Sequence, residues 1–431
     1  MRTLEFKAAG FWDDLAQFCR AAATDPKVRE AVSAVLADVA AEGDAAVIRY
    51  SEKFDGARLT PEQLRVPAEE IAAASKRIPA ADRKAIREAA QCVRVFNRRG
   101  LPKDWTARNP HGARTGERFY PLARVGLYIP RGLASTVVMT AVLAKLARVP
   151  QIAIFTPPDR EGRVSDAVLA AARFCGVDEI YRVGGVQAIG AMAFGTRTIP
   201  AVVKIFGPGN GYVVEAKRQV FGQAGIDLLP GPSEVMVIAD AEADPEFAAT
   251  DLLAQAEHGS GLERVFLVSL SKRLINAVHA RLRREVIALG PKAAAARVIE
   301  NGFLTVIVPD LKAAAAVADW VAPEHLELEV DAAARKQLLA GITTAGAIML
   351  GRWSATALGD FTAGPSHELP TGRAGRFFSG LRVSDFLRRS SLVEYDGRSL
   401  RRAAPVVEAF ARMENMDTHG RSVAVRAAFR S

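Results

Sequence analysis

From Val125 onward the chain alternates short apolar runs with stretches of helical spacing. VGLYIP precedes a helix from about Thr136, QIAIFTPP precedes SDAVLAAARFCG, EIYRVGG precedes a short helix, and VVKIFGPGN precedes YVVEAKRQVFG. Strands of this kind separated by helices predict parallel pairing with crossover connections. A second series repeats the alternation: EVMVIAD, a helix over 244–256, RVFLVSL, a helix from Lys272, TVIVP, a helix over 313–318, LELEV, another helix, and GAIML. Upstream, within residues 12–99, apolar positions recur three and four apart between Pro and Gly breaks, which predicts amphipathic helices. After Leu350 the alternation stops in a long loop, GRWSATALGDFTAGPSHELPTGRAGRFFSG, followed by a helical tail. Long loops in compact chains usually carry function.

The pattern predicts an α/β protein with two Rossmann-like units built on parallel-strand sheets, plus a helical N-terminal region and a helical C-terminal tail. The expected division is an N-terminal arm (1–24), a helical region (25–125) packed on the second α/β unit, a first α/β unit (126–232), a second (233–381) and the tail (382–431). A length of 431 residues agrees with two or three packed units.

Composition removes several function classes. With 49% hydrophobic and 24% charged residues the chain has globular proportions. No apolar run approaches the roughly 20 residues of a membrane span, and acidic residues interrupt the first 20 positions, so no membrane role and a cytoplasmic location are expected. Cys19, Cys92 and Cys175 lie far apart without CxxC spacing and read as small buried hydrophobes. The net charge of +9 is spread over scattered Arg pairs and accompanies no nucleic-acid-binding signature, so no nucleic-acid partner is expected.

Histidine concentrates the candidate chemistry, because imidazole both ligates metals and carries protons near neutral pH. Gln255 and His258 stand three apart at a predicted helix end, a spacing that shares one face and can hold a metal, or serves only the helix dipole. Glu324 and His325 open the strand LELEV as an acid beside an imidazole. Adjacent residues of an extended segment point to opposite faces, so they share a site only at a bend. Asp360 with His367, and Glu414 with His419, form two further pairs. Gly184-Gly185 and Gly207-Pro208-Gly209-Asn210-Gly211 each stand between a predicted strand and a helix, as a dinucleotide site or as ordinary turns.

Taken in order, GGVQAIGAMAFGT, KIFGPGNGYVVEAKR, GIDLLPGPSEVMVIAD, DLLAQAEH, VAPEHLEL, GDFTAGPSHELPTG and MDTHGRSVAVR resemble the histidinol dehydrogenase family over about residues 25–428. The resemblance implies oxidation of L-histidinol through L-histidinal to L-histidine with NAD and Zn²⁺. It implies zinc ligands Gln255, His258, Asp360 and His419, and an acid–base pair Glu324 and His325. It further implies substrate contacts from Ser233 and Glu414 as well as from Gln255, His258, His325, Asp360 and His419, and NAD contacts from Tyr128, Gln187 and Asn210. The first unit then becomes the NAD side and the second carries the zinc and acid–base residues. A homodimer is implied in which the tail, with Glu414 and His419, completes the partner's site. One departure stands out: after Tyr128 the family usually continues Pro-Gly-Gly, whereas Pro130-Arg131-Gly132-Leu133-Ala134-Ser135 here is about three residues shorter. That leaves room for the same machinery acting on another small alcohol such as a sulfonated diol; a catalytically silent metal-binding homologue is a separate, lesser alternative.

Overall fold

The computed structural model describes residues 1–20, 26–290 and 292–429. In chain order, β1 (Arg2–Glu5) and α1 (Phe11–Cys19) are followed by four helices, α2 (Pro26–Glu42), α3 (Asp44–Asp55), α4 (Ala68–Arg77) and α5 (Ala80–Arg98). Strands β2 (Trp105–Arg108) and β3 (Arg114–Pro121) come next. The first unit then runs β4 (Arg124–Tyr128), α6 (Ala134–Leu146), β5 (Gln151–Phe155), α7 (Asp166–Phe174), β6 (Glu179–Tyr181), α8 (Gly185–Phe194), β7 (Lys204–Phe206), α9 (Gly211–Val220) and β8 (Gly225–Ile226). The second runs β9 (Glu234–Ala239), α10 (Pro245–Ala256), β10 (Arg264–Ser269), α11 (Lys272–Leu289), α12 (Ala294–Asn301), β11 (Phe303–Ile307), α13 (Leu311–Val321), β12 (His325–Glu329), α14 (Ala332–Gly341) and β13 (Ala347–Leu350). Helix α15 (Thr356–Phe361), strand β14 (Leu387–Glu394), and helices α16 (Gly397–Met413) and α17 (Asp417–Ala427) complete the chain.

Both expected parallel sheets form. The first has the order β6-β5-β4-β7-β8 and the second β1-β11-β10-β9-β12-β13. In each, the chain winds one way from a starting strand and then returns to build the other way. That leaves a switch point between β4 and β7 in the first sheet and between β9 and β12 in the second. Strand alternation feeds two cores per sheet. Val125, Leu127, Ile152 and Ile154 face one side of the first sheet, and Tyr128, Ala153 and Phe155 face the other. Helices cover both sides, which explains why these strands read as continuous apolar runs.

The helical region packs on the first unit, not the second as the sequence led us to expect. Val32, Leu36 and Val39 of α2 and Val47 of α3 share a core with Ile189 of α8 and Val213 of α9. Ile71, Ala90 and Val93 join the opposite core with α6 and α7. The second sheet has no free face to offer: α1, α13 and α14 cover one side, and α10, α11 and α12 the other. Residues 2–19 are likewise no loose arm, since β1 is the edge strand paired in parallel with β11 and α1 lies on the sheet. The expected boundary at 24/25 lies outside the described residues.

A third, antiparallel sheet of order β14-β3-β2 joins residues expected in the helical region to residues expected in the tail. Just before β14, Phe386 is buried and stacks on Phe206 with ring centroids 4.0 Å apart, so the tail begins anchored in the first unit. Exposed positions dominate β2 and β14, which is why no apolar run announced them.

Candidate active site

Proline and a left-handed residue set up the acid–base pair. Helix α13 ends at Ala322 with φ 50°, and Pro323 leads into a bend at Glu324 before β12 begins at His325. The bend solves the problem of opposite faces: His325 Nδ1 lies 3.7 Å from Glu324 Oε2. The carboxylate is held in place, with Oε2 accepting from the backbone N–H of Glu234 at 2.8 Å, and the Ser233 side chain beside it also favours the charged form. Nδ1 of His325 lies 3.2 Å from the Glu234 carbonyl, which can only accept, so Nδ1 is the donor. In the neutral ring Nε2 is therefore left as the base, and it faces Asp360 Oδ1 at 3.6 Å.

Burial dominates the electrostatics here. It pushes the Glu324 carboxyl up to about 7, against the opposing pull of His325. Burial also raises Glu234 to about 8, helped by the charge of Glu324. For His325 burial works against the cation, but Glu324, Asp360 and the Glu234 carbonyl outweigh it and carry the ring up to about 9. The arrangement thus favours the imidazolium, and the ring becomes a free base below that value only when a bound cation offsets the pull of Asp360. Burial likewise works against the Asp360 carboxylate, yet His325, His367 and His258 together hold its pKa below the usual range.

Asp360 sits in the last turn of α15, and two side chains that sequence reasoning passed over fix it there. Glu327, two residues along β12 from His325, accepts from the backbone N–H and the hydroxyl of Thr356 at 2.7 Å each and so holds the start of α15. His367 was seen in the sequence but given no role. Its Nδ1 reaches the Asp360 carbonyl at 3.1 Å and its Nε2 lies 3.6 Å from Glu368. A cleft of about 720 Å³ opens beside this group, lined by His325, Met349, Leu358, Gly359, His367 and Phe96 among others.

Gln255 lies in the last turn of α10, which packs on α15. It is only 2% exposed, and neither amide atom has a partner. A buried amide is costly to leave unbonded, so the side chain fits a ligand role. His258 follows on an exposed turn, close enough to influence Asp360. Glu414 and His419 stand apart, exposed on the α16–α17 hairpin. The single chain gathers Ser233, Glu324, His325 and Asp360, with Gln255 and His258 on the neighbouring helix end, but leaves the tail pair outside.

In the first unit Tyr128 ends β4, Gln187 lies in the first turn of α8 and Asn210 caps α9, the helix that follows β7. The Tyr128 hydroxyl accepts from Gly185 N–H at 3.1 Å, and burial raises its own pKa to about 12. Asn210 caps α9 by accepting from Tyr212 and Val213 N–H at 3.1 Å each. Gln187 is fully buried with neither amide atom bonded. Gly207 has φ 109°, and a Cβ there would strike the Tyr128 carbonyl. Asp227 and Lys217, which the sequence did not flag, brace the same turn: Gly207 N–H donates to Asp227 at 2.6 Å and Lys217 Nζ donates to the Gly207 carbonyl at 2.9 Å. In the shortened loop, Arg131 turns to Asp55 at 2.9 Å.

Two parallel-sheet units, with an imidazole–carboxylate pair on one and glycine-lined strand ends on the other, define a two-unit α/β enzyme. The chain belongs to the histidinol dehydrogenase family, an oxidoreductase family whose model matches residues 19–427. It is 44% identical over 431 residues to the histidinol dehydrogenase of Gluconobacter oxydans, covering 99% of each chain. It is also 44% identical over 408 residues to that of Ruegeria pomeroyi, covering 93% of this chain and 92% of the relative. The crystal structure of histidinol dehydrogenase from Elizabethkingia anophelis superposes with a TM-score of 0.93 at 33% identity, covering 99% of this chain and 98% of that one. Among the described residues no helix is long and apolar enough to cross a membrane.

Proposed function

We propose that the protein oxidises L-histidinol through L-histidinal to L-histidine. The observation that carries this reading is the fixed tautomer of His325: with Nδ1 committed to the Glu234 carbonyl, Nε2 is a base aimed at the cleft beside Asp360. NAD, when bound, takes up hydride, and zinc, when bound, supplies a Lewis-acidic charge that fixes the alcohol. Gln255, His258 and Asp360 of one chain, with His419, would hold the zinc, and the orphaned amide of Gln255 supports that role. Tyr128, Gln187 and Asn210 would hold NAD, supported by the unbonded amide of Gln187. As hydride leaves carbon, His325 accepts the hydroxyl proton at Nε2. Glu324 then takes a proton from water as it adds to the aldehyde, and the hydrate yields the acid by giving a second hydride to a second NAD and a hydroxyl proton to a base. Ser233, beside Glu324, would touch the substrate.

A homodimer follows from the same reading, with Glu414 and His419 reaching the partner's site. Helix α17 buries no residue in the single chain, and Phe410, Met413, Met416 and Val425 leave apolar surface on the hairpin for a second copy.

The test is an assay of zinc-loaded protein with L-histidinol and a panel of small diols. Reduction of about two NAD per histidinol consumed is expected. Turnover of a diol but not histidinol would move the assignment to another alcohol, and no turnover of any alcohol by metal-bound protein would leave a silent homologue.

A further inference from the structure

Beyond the residues assigned to histidinol chemistry, strand β12 carries two more acids on the face that bears His325. Glu327 and Glu329 alternate with Leu326 and Leu328, which fill the core on the other side. Asp251 approaches from α10, one helical turn before Gln255. One oxygen from each of the three carboxylates lies within 4.8 Å of the others. Glu327 is 2% exposed and Glu329 5%. Glu327 spends Oε1 on Thr356, while its Oε2 is buried without a partner. Glu329 has a buried Oε2 that no group among the described residues bonds.

Among the described residues no Lys, Arg or His forms an ion pair with any of the three. Arg352 stands near enough to act on Glu329, but its guanidinium bonds the Glu242 carbonyl at 3.4 Å. Several buried carboxylates without a counter-charge are costly, and protons or a cation must offset them. Two features favour a cation. The two Thr356 donors fix one Glu327 oxygen and leave the other unbonded in the cluster, where burial and the charge of Asp251 push this carboxyl up to about 8 and a cation would displace its proton, and Asp251 is only half-buried. The position agrees as well: Glu329 pairs with Ala239 at the carboxyl ends of β12 and β9, the switch point of this sheet, where open α/β sheets bind ligands.

We propose that Asp251, Glu327 and Glu329 form a binding site for a hard divalent cation of the Mg²⁺, Mn²⁺ or Ca²⁺ kind, separate from the proposed zinc set. An all-carboxylate donor set suits such ions, whereas imidazole and amide suit the zinc position. A cation there would also tie α10 to β12, and through Glu327 and Thr356 to the start of α15.

The test uses zinc-loaded, chelator-washed protein titrated with Mn²⁺, with free Mn²⁺ read by electron paramagnetic resonance and zinc by mass spectrometry. Saturable uptake of a single Mn²⁺ per chain is expected. Glu329→Gln and Asp251→Asn should each weaken it by about tenfold or more, because fewer ligand charges lower affinity, with zinc content and circular dichroism unchanged. His258→Ala should lose zinc yet keep Mn²⁺, so failure of the zinc reading and failure of this one are told apart. No saturable uptake up to about 5 mM, beyond the weak limit of protein Ca²⁺ sites, would mean that protons fill the cluster and would overturn the proposal. Equal uptake in the carboxylate variants, or loss of uptake with His258→Ala, would overturn it too.

Discussion

The two parallel sheets share one plan, a reversal of winding that opens a crevice at the centre, but they equip it differently. The first presents Tyr128, Gln187, Asn210 and backbone N–H groups at the carboxyl ends of β4 and β7, all uncharged. The second places Glu234, Glu324 and His325 at the opposite, amino ends of β9 and β12, where burial raises the two acids and the neighbouring carboxylates raise the imidazole. Uncharged donors in a crevice can hold a large anionic ligand with little change to its chemistry. Desolvated acids and an imidazole instead make proton transfer possible near neutral pH. The difference supports the proposed division, with binding on one sheet and reaction on the other.

The division breaks most sharply at His325. Replacing it with Asn should slow alcohol oxidation by on the order of 10²-fold or more, the typical share of a general base. Glu324→Gln should leave the first hydride transfer comparatively intact in a single turnover but depress conversion of supplied aldehyde to acid. Equal loss of both half-reactions with zinc still bound would show that the two residues do not divide the work as proposed.

A smaller effect belongs to Glu234, whose raised pKa of about 8 has a thermodynamic sign. The folded protein holds this proton more tightly than the unfolded chain, so the stabilisation is full below about pH 4.5 and is lost as pH rises through about 8. Glu234→Gln keeps the acceptor for Gly372 N–H and removes the titration. Denaturant unfolding between pH 5 and 9 should therefore show a fall in stability steeper in the natural protein than in the variant by on the order of 2 kcal/mol. Parallel curves would mean that Glu234 is not desolvated.

The smallest effect is expected on the binding sheet. Gln187→Leu should raise the KM for NAD by roughly tenfold, the loss of one or two hydrogen bonds to a ligand. Steady-state kinetics should show kcat nearly unchanged. A fall in kcat instead would draw this residue into the reacting side.

Sequence reading recovered both parallel sheets because buried strands read as apolar runs between helices. The runs VGLYIP, QIAIFTPP, EVMVIAD and RVFLVSL all became central or near-central strands. It missed β1, β2, β3 and β14, whose outward residues are largely polar, and the partners of β1 and β14 lie far along the chain. The partner of α2 and α3 was misjudged because an apolar stripe states that a helix packs, not on what. At the site, Glu324 and His325 were visible as an adjacent pair, but the bend that unites them depends on Pro323 and on Ala322 in a left-handed conformation. Glu327 looked like an ordinary strand residue. Its role arises only when the long loop returns Thr356 to it.

Strand β1 has a consequence for how this molecule is made. Its partner spans residues 303–307, while the strands of the first sheet all lie between residues 124 and 226. At a synthesis rate of about 5–20 residues per second, the first sheet is complete on the ribosome while residues 2–5 wait roughly 15–60 s for the strand they join. This segment is therefore a late arrival in folding despite being made about 300 residues before its partner. During that wait Phe11, Leu15 and Phe18, which end in the core of the second unit, lack the surface that will cover them.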